Sequence, residues 1–208
     1  MCGILGLAST KKISDNKWIY KGLETLYHRG PDDSGIYFSD DNKLCLAHRR
    51  LSIIDLSKSA SQPMIDKNSG NSIVFNGEIY NYLELKNKLI KKGHLFFTKS
   101  DTEVILKAYS QWGIKCLNLL NGMFSFSLYD KNKRQLYLAR DRAGEKPLYY
   151  SLEDDKLRFS SELKALFQDD KLKRIINKTA LDNYLAWGYV SPDISIIEGI
   201  NKLRAGHV

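Results

Sequence analysis

Apolar and polar residues alternate along much of this chain, with the period of two that is typical of β-strands facing a core on one side. The clearest case is MFSFSLYD at 123–130, which RQLYLARD at 134–141 follows across a short turn. Two further hairpins are predicted where Asp41-Asn42 and Asp154-Asp155 separate strand-like runs. The predicted strands are 3–8, 34–40, 43–54, 71–80, 123–130, 134–141, 147–153 and 156–162. Because most of them are joined as hairpins, we expect mainly antiparallel sheets.

Between the strands, apolar residues at helical spacing predict several helices. The third has the strongest start signal, since Ser100 is a candidate N-cap and Glu103 completes a capping box. Gly93 and Gly188 follow the second and fourth helices, where glycine commonly ends a helix. The predicted helices are 16–27, 82–92, a helix that begins after Ser100, and 179–187.

The composition is that of an ordinary globular protein. The chain has 208 residues, of which 43% are hydrophobic and 27% charged, enough to bury a sizeable core without disulfides. No repeat or low-complexity linker divides it, so we expect one α+β domain over residues 1–190. The final stretch, INKLRAGHV, stops without a polar tail, as if cut inside a longer protein.

The expected compartment of the protein and the redox state of its cysteines are inferred from sequence features that are absent. No run of 18 apolar residues occurs, and the opening lacks the basic segment of a signal peptide. We therefore expect a cytoplasmic protein with no membrane partner. The three cysteines are odd in number and form no CxxC pair, which argues against disulfides and zinc. Cys45 and Cys116 lie in apolar segments and are interpreted as small buried residues.

The net charge of +8 raises a hypothesis of nucleic-acid binding. The basic residues are spread over short clusters at turns and on polar helix faces, however, and the aromatic residues fall in core-like strands. No nucleic-acid motif is present. We therefore expect no nucleic-acid partner, and salt-sensitive retention on DNA would contradict this expectation.

Cys2 directly follows the initiator methionine in MCGILGL. If Met1 is removed, the same residue carries a thiol and a free α-amine, whose ordinary pKa of about 7.7–8.0 makes it a usable base at neutral pH. That amine could take the thiol proton, as N-terminal amines do for hydroxyl nucleophiles. The alternative is an incidental cysteine, because position alone does not distinguish the two.

The pair Asn76-Gly77 interrupts a β-rich run, VFNGEIYN. One interpretation is a hairpin turn, for which Asn-Gly is the strongest local signal. The other is an oxyanion hole, in which the Asn76 amide and the Gly77 backbone N–H point at one oxygen. The run continues after the pair instead of pairing back, which keeps the second interpretation open.

Two charged residues lie at the ends of predicted elements. Arg50 follows a strand and is itself followed by an apolar run, so it needs an anionic partner. That partner is either a structural residue such as Asp55 or a substrate carboxylate. Asp101 lies in the first turn of a helix, where acidic residues favour the helix dipole. It could instead bind a substrate ammonium group.

These pieces fit one chemistry, the hydrolysis of a glutamine amide by a thiol. The chain resembles class II glutamine amidotransferases of the N-terminal-nucleophile hydrolase superfamily, and more closely the glutaminase domain of glutamine-hydrolysing asparagine synthetases. The matching stretches run in the family's order from Cys2 to about Leu166. They are MCGILG, YHRGPDDSG, AHRRLSIIDLS, QPM, VFNGEIYNY, SDTEVIL, LNGMFSFSLYD, ARDRAGEKPLYY and SSELKAL.

The resemblance implies a fold and a catalytic set. The fold is a four-layer αββα sandwich of two mainly antiparallel sheets flanked by helices. Cys2 is implied as the nucleophile that attacks the glutamine side-chain amide and releases ammonia, with its own α-amine as base. Asn76 and Gly77 are implied as the donors that stabilise the oxyanion.

The resemblance also implies how the substrate is bound. Arg50 would bind the α-carboxylate of L-glutamine and Asp101 its α-ammonium group. Ile53, Ile54 and Glu78 would line the pocket, the first two through their backbone. Arg29 and Asp141, in two other matching stretches, are assigned to the scaffold and to ordering a loop.

A second domain is implied as a partner. In the family, ammonia passes to a C-terminal synthetase domain that uses ATP and Mg²⁺ to make asparagine from aspartate. The Ser-Gly-Gly-x-Asp-Ser loop of that domain does not occur here, so no cofactor is expected in this chain. Residues 191–208 resemble the start of the linker, with Arg204 and Ala205 in place of two prolines. Ala143 and Glu145 also depart from the family pattern, and homodimer formation is left open.

Two alternatives to this function remain at the level of the sequence. A paralogue could deliver ammonia to another carboxylate acceptor, such as a sugar acid, since the acceptor does not contact this domain. A catalytically silent interaction domain could keep the fold, although the joint presence of the candidate catalytic residues argues against it.

Overall fold

The computed structural model describes residues 1–208 and contains ten strands and five helices. The strands are β1 (Gly3–Ser9), β2 (Asp33–Phe38), β3 (Leu44–Arg50), β4 (Met64–Ile65), β5 (Ser72–Ile79), β6 (Gly122–Asp130), β7 (Gln135–Arg140), β8 (Tyr149–Glu153), β9 (Lys156–Ser160) and β10 (Asn201–Lys202). The helices are α1 (Lys17–Thr25), α2 (Tyr82–Ile90), α3 (Asp101–Trp112), α4 (Leu163–Leu166) and α5 (Lys178–Trp187).

The strands form two sheets, and every pairing is antiparallel. One sheet has the order β10-β8-β9-β1-β3-β2 and the other β4-β5-β6-β7. Helices α1 and α4 share a core cluster with the first sheet, and α2 and α3 share one with the second. A third cluster lies between the sheets. The predicted α+β class and the four-layer αββα sandwich are confirmed.

The alternation of strand β6 shows how the pattern builds these layers. Phe124, Phe126 and Leu128 belong to the core shared with α2 and α3. The intervening Ser125 and Ser127 are equally buried, at 0% exposure. Since successive side chains of a strand point to opposite faces, these serines face the other sheet. Both faces of the strand are therefore inside the protein.

Two predicted hairpins are confirmed by their backbone. Asn42 (φ 54°) joins β2 to β3, and Asp154 (φ 53°) and Asp155 (φ 59°) join β8 to β9. The predicted extension of β3 as far as residue 54 is wrong, because the strand ends at Arg50. The backbone of Leu51 instead contacts the Cys2 sulfur, which takes it out of the ladder.

Helix α3 begins as predicted, but half of the predicted capping box is different. Ser100 Oγ accepts the N–H of Thr102 at 3.1 Å. The Glu103 carboxylate accepts the N–H groups of Phe97 and Thr98 instead of reaching back to Ser100. It therefore orders the loop before the helix. None of the helices, of which α3 is the longest at 12 residues, has the length and apolar character needed to cross a membrane.

The chain beyond residue 190 packs against both sheets. Strand β10 pairs with β8, and Leu203 N–H donates to Leu148 O at 2.8 Å. The carbonyl of His207 accepts the N–H of Arg140 on β7 at 3.1 Å. The hydrophobic pattern had not indicated β4, α4 or β10, whose two to four residues are too short to show a period. A domain boundary at residue 190 stays a prediction.

A buried ion pair on the outer side of the first sheet offers a test of stability. Arg158, 1% exposed, donates from Nε to Asp169 Oδ2 at 2.7 Å. Replacing Asp169 by alanine leaves that guanidinium buried without a counter-charge, so we expect the free energy of unfolding to fall by about 3–5 kcal/mol. Urea unfolding measures it. Asp170→Ala, at an exposed neighbouring carboxylate, is the control and should change stability little. An equal effect of both variants would contradict the prediction.

Candidate active site

A cavity of about 110 Å³ opens where the segment before β1, the end of β3, strand β5 and the start of α3 converge. Every site residue predicted from the sequence lines it. These are Cys2, Arg50, Ile53, Ile54, Asn76, Gly77, Glu78 and Asp101. Residues from four separate parts of the chain thus meet in one place, which makes this cavity the candidate active site.

The Cys2 thiol is held in the cavity wall by backbone groups. Leu51 N–H lies 3.4 Å from Cys2 Sγ, and Leu51 O lies 3.7 Å from it. Arg29 Nε donates to Cys2 O at 2.9 Å, and Arg29 Nη1 binds Glu162 at 2.8 Å. Burial raises the pKa of the Cys2 thiol, against the lowering effect of the Leu51 backbone. The thiol is therefore protonated at neutral pH and needs a base before it can act as a nucleophile.

Met1 lines the same cavity. Its Sδ lies 3.4 Å from Lys146 Nζ and 3.9 Å from Arg29 Nη2. Burial lowers the pKa of the α-amine at this end of the chain, and the cations Arg29 and Lys146 act in the same direction, while Cys2 opposes them. With Met1 in place, the nitrogen of Cys2 is a peptide amide and has no basic lone pair. The α-amine described here belongs to Met1, so removal of Met1 decides whether Cys2 itself carries an α-amine beside its own thiol.

The edge of β5 that faces the cavity presents a free backbone donor. Phe75 N–H donates to Gln62 Oε1 at 2.7 Å, and Ile79 N–H donates to Asp101 Oδ2 at 3.0 Å. Because alternate residues of an antiparallel strand direct their N–H groups to the same edge, the N–H of Gly77 points to this edge as well. Strand β4 pairs only with the first two residues of β5, so it does not cover this position.

The side chain of Asn76 supplies a second donor. It is 0% exposed, and neither its amide nitrogen nor its oxygen has a hydrogen-bond partner. Leaving a buried polar group unpaired costs about 1–3 kcal/mol, which points to a partner that arrives with a ligand. Both Asn76 and Gly77 lie inside β5 and pair with β6, so the hairpin interpretation of this dipeptide is wrong.

Glycine is required at position 77 by the close approach of β6. A Cβ atom there would lie 2.2 Å from Met123 O and 2.7 Å from Phe124 Cα. No side chain fits that space without moving the backbone of β6. The Gly77 N–H and the Asn76 amide are therefore two donors from adjacent residues that line the same cavity.

Arg50 ties the loop after β3 to the cavity. The side chain is 7% exposed, its Nη1 donates to Ser57 O at 2.9 Å, and its Nη2 donates to the carbonyl of Asp55. A guanidinium carries five N–H groups, so Nε–H and the second hydrogen of each Nη remain. The Asp55 carboxylate is not the partner that the sequence suggested, because it accepts the N–H groups of Ser57 and Lys99.

Asp101, the first residue of α3, places a carboxylate in the same cavity. It is 4% exposed, and burial raises its pKa to about 6, against the lowering effect of the N–H of Ile79. A cation bound nearby would stabilise its charged form. No group of three or more His, Cys, Asp or Glu side chains is arranged to hold a metal ion. The Arg50 guanidinium and the Asp101 carboxylate line the same small cavity and match the two charges of an α-amino acid.

Two scaffold assignments are confirmed by their contacts. Arg29 holds the backbone of Cys2, as described above. The Asp141 carboxylate accepts the N–H of Phe124 at 3.1 Å and also binds N–H groups of the loop 143–146. This loop carries Lys146 to the cavity, so Asp141 shapes the site without lining it.

Among the polar side chains of the cavity wall that sequence reasoning missed, Gln62 and Lys146 make the most informative contacts. Gln62 binds Phe75 N–H and also donates to Thr102 Oγ1 at 3.2 Å, which links β5 to the start of α3. Lys146 is 7% exposed and forms no ion pair with a carboxylate. Both lie in stretches that carried the resemblance, QPM and ARDRAGEKPLYY. Those two motifs could have drawn attention to Gln62 and Lys146, but a sequence motif does not show which way a side chain points.

Comparison with protein families gives a match along the whole chain. A family model described as "Glutamine amidotransferase domain" matches residues 1–208. Asparagine synthetase [glutamine-hydrolyzing] 3 of Bacillus subtilis is 35% identical over 212 residues, which cover 100% of this chain and 34% of that protein. Putative asparagine synthetase [glutamine-hydrolyzing] 2 of Methanocaldococcus jannaschii is 39% identical over 223 residues, covering 99% of this chain and 43% of that protein.

A relative with a different name also matches. Amidase chry2 of Gibberella zeae is 38% identical over 197 residues, covering 93% of this chain and 29% of that protein. The chain therefore spans between 29% and 43% of the length of these relatives. Among solved structures, glutamine phosphoribosylpyrophosphate amidotransferase from B. subtilis superposes with a TM-score of 0.68 at 21% identity, covering 99% of this chain and 49% of that one. At that identity, the likeness speaks for the fold.

Proposed function

This chain belongs to the glutamine amidotransferase family, and we propose that it hydrolyses the side-chain amide of L-glutamine to glutamate and ammonia with Cys2 as the nucleophile. The observation that carries the proposal is the position of the Cys2 thiol in one cavity with two donors, the unpartnered Asn76 amide and the Gly77 N–H, which β5 directs to its uncovered edge. A thiol beside a pair of free donors is the arrangement that acyl transfer requires.

Removal of Met1 creates the base. The α-amine of Cys2 then takes the Sγ proton as sulfur attacks the amide carbon, and the carbonyl electron pair moves onto oxygen. The Asn76 amide and the Gly77 N–H bind that oxyanion. The amine returns its proton to the leaving nitrogen, ammonia departs and a thioester remains. Water, deprotonated by the same amine, attacks the thioester and releases glutamate and the thiol.

The charges of the cavity bind the α-amino acid end of the substrate. Arg50 uses its remaining N–H groups on the α-carboxylate, and Asp101 accepts from the α-ammonium group. Ile53, Ile54 and Glu78 complete the wall. Because Arg50 also holds the carbonyls of the following loop, substrate binding and the position of that loop are connected through one side chain.

The ammonia serves a second reaction in the longer protein that the relatives represent. Two relatives are named glutamine-hydrolysing asparagine synthetases, which supports delivery to a C-terminal synthetase domain that makes asparagine from aspartate with ATP and Mg²⁺. No cofactor is assigned to the present domain. The alternative acceptor is another carboxylate such as a sugar acid, and the relative named Amidase chry2 shows that not every relative is named an asparagine synthetase. A cytoplasmic location follows from the proposed substrates, and a homodimer stays an open prediction.

The test of the proposal is glutamate release from L-glutamine by a chain whose intact mass shows loss of Met1. A matched chain with one leucine inserted between Met1 and Cys2 keeps its methionine and should release none, because the nitrogen of Cys2 stays a peptide amide. Equal activity of the two chains would overturn the role of the α-amine. A folded, processed chain that releases no glutamate would overturn the proposal and favour the silent interaction domain.

The pH dependence of substrate binding tests Asp101. Only its ionised form pairs with an ammonium group, and its pKa is raised to about 6. The KM for L-glutamine should therefore rise as pH falls through 6, by about tenfold between pH 7.5 and pH 5. In Asp101→Asn, KM should be high throughout and should lose that rise. Steady-state kinetics between pH 5 and pH 7.5 measure this dependence. A wild-type KM that does not change over this range would contradict the role of Asp101 in binding the ammonium group.

A further inference from the structure

Both backbone groups of Phe75 are bound by buried side chains from other parts of the chain. Gln62 Oε1 accepts the Phe75 N–H at 2.7 Å, and His48 Nε2 lies 3.0 Å from the Phe75 carbonyl oxygen. Phe75 immediately precedes Asn76 and Gly77, the two donors of the cavity. These two hydrogen bonds therefore hold β5 in place at the residue that directly precedes its two donor residues.

The hydrogen bond fixes the tautomer of His48. A carbonyl oxygen only accepts, so the proton is on Nε2 and the lone pair is on Nδ1. Burial lowers the pKa of His48 to about 4, with Arg50 acting in the same direction and Asp33 opposing it, so the ring is neutral at pH 7. The Nδ1 atom has no partner, which is a cost that an apolar side chain would avoid. Packing alone does not account for a histidine here.

The position of His48 connects two parts of the site. It lies on β3 of the six-stranded sheet, and Phe75 lies on β5 of the four-stranded sheet. Arg50 is two residues further along β3 and so points to the same face as His48. The His48–Phe75 hydrogen bond thus sets the strand that carries Arg50 against the strand that carries Asn76.

We propose that His48 is a positioning residue, whose Nε2–H hydrogen bond to Phe75 fixes the part of β5 that presents the Asn76 side-chain amide and the Gly77 backbone N–H to the oxyanion. The inference rests on the proposed hydrolysis of glutamine. It concerns the placement of donors in the transition state and not the affinity for the substrate. Loss of the hydrogen bond between His48 and Phe75 should therefore lower kcat and leave KM nearly unchanged.

The variants separate this hydrogen bond from simple packing. His48→Leu removes the donor, and His48→Gln keeps an N–H near the position of Nε2. We expect kcat to fall about tenfold to a hundredfold in His48→Leu, KM to change less than about threefold, and His48→Gln to recover most of the lost kcat. Leu46→Ala is the control, because Leu46 is a fully buried neighbour on the same face of β3 that makes no side-chain hydrogen bond.

Backbone amide NMR gives a second readout that does not depend on activity. In His48→Leu the amide signals of Asn76 and Gly77 should shift or broaden, whereas in His48→Gln and Leu46→Ala they should stay close to wild type. If His48→Leu does not fold, His48→Asn replaces it, because its shorter amide does not reach the Phe75 carbonyl.

Several outcomes would overturn the proposal. They are an unchanged kcat in His48→Leu, a similar loss in Leu46→Ala, no recovery in His48→Gln, or Asn76 and Gly77 signals that stay in place. If the processed wild-type chain releases no glutamate, the proposed function fails. The amide spectra then decide alone whether His48 positions this part of β5.

Discussion

Replacing Cys2 by alanine should abolish glutamate release, with a loss of roughly 10⁴-fold or more in kcat. No other thiol can substitute, because Cys45 and Cys116 are buried in apolar clusters outside the cavity. The α-amine remains in the variant, and so do the charges that bind the substrate. L-Glutamine should therefore still bind, while no thioester forms.

Measurement of both turnover and binding makes this result specific. Glutamate release is followed with an excess of L-glutamine, and binding is followed by calorimetry on the same preparation. Cys116→Ala is the matched control, since it removes a free thiol that is 1% exposed and does not line the cavity. Substantial turnover by Cys2→Ala would refute the nucleophile. Loss of binding together with turnover would indicate a collapsed cavity instead.

Asn76→Ala should reduce kcat by about 10²–10³ with a small effect on KM, the usual consequence of losing one oxyanion donor. Asn76→Ala should lower the free energy of unfolding only slightly, although the residue is fully buried. Its amide nitrogen and oxygen are unpartnered, so truncation removes a desolvation cost of about 1–3 kcal/mol while it opens a small cavity. Activity and stability are thus expected to move independently.

Ser72 supplies a matched control on the same strand. It lies four residues before Asn76, so it points to the same face of β5. It is also 0% exposed, and its Oγ has no partner, but it does not line the cavity. Urea unfolding and steady-state kinetics on Ser72→Ala and Asn76→Ala should give similar stabilities and very different kcat values. A comparable loss of kcat in Ser72→Ala would mean that the strand tolerates no truncation, and it would remove the case for an oxyanion donor.

The layers of the fold could be predicted from the sequence because its strands alternate cleanly. In β6 the apolar residues and the serines separate into two faces before any contact is known. The Asn76-Gly77 dipeptide could not be resolved in the same way, since its local signal is that of a turn. The pairing of Gly77 with Phe124 on β6 decides the matter. That pairing joins residues far apart in sequence, so a local pattern does not contain it.

The supporting residues of the site were harder to predict for the same reason. His48 and Gln62 act on Phe75 through side chains that arrive from other strands and loops. Glu103 had a recognisable local partner, yet its carboxylate binds the preceding loop. The predicted end of β3 was also wrong, because the backbone of Leu51 contacts the sulfur of Cys2 instead of continuing the strand. In each case the deciding contact joins segments whose approach only the folded chain defines.

The uncovered edge of β5 also bears on self-association. A strand with free N–H and C=O groups on one side is a template for another strand, and long exposed edges of this kind promote aggregation. Here Gln62, His48 and Asp101 occupy the backbone groups on either side of Gly77. The remaining N–H lies in a cavity of about 110 Å³, which admits a small molecule but not a polypeptide. The side chains that prepare this edge for a substrate therefore also protect the protein from pairing with its own copies.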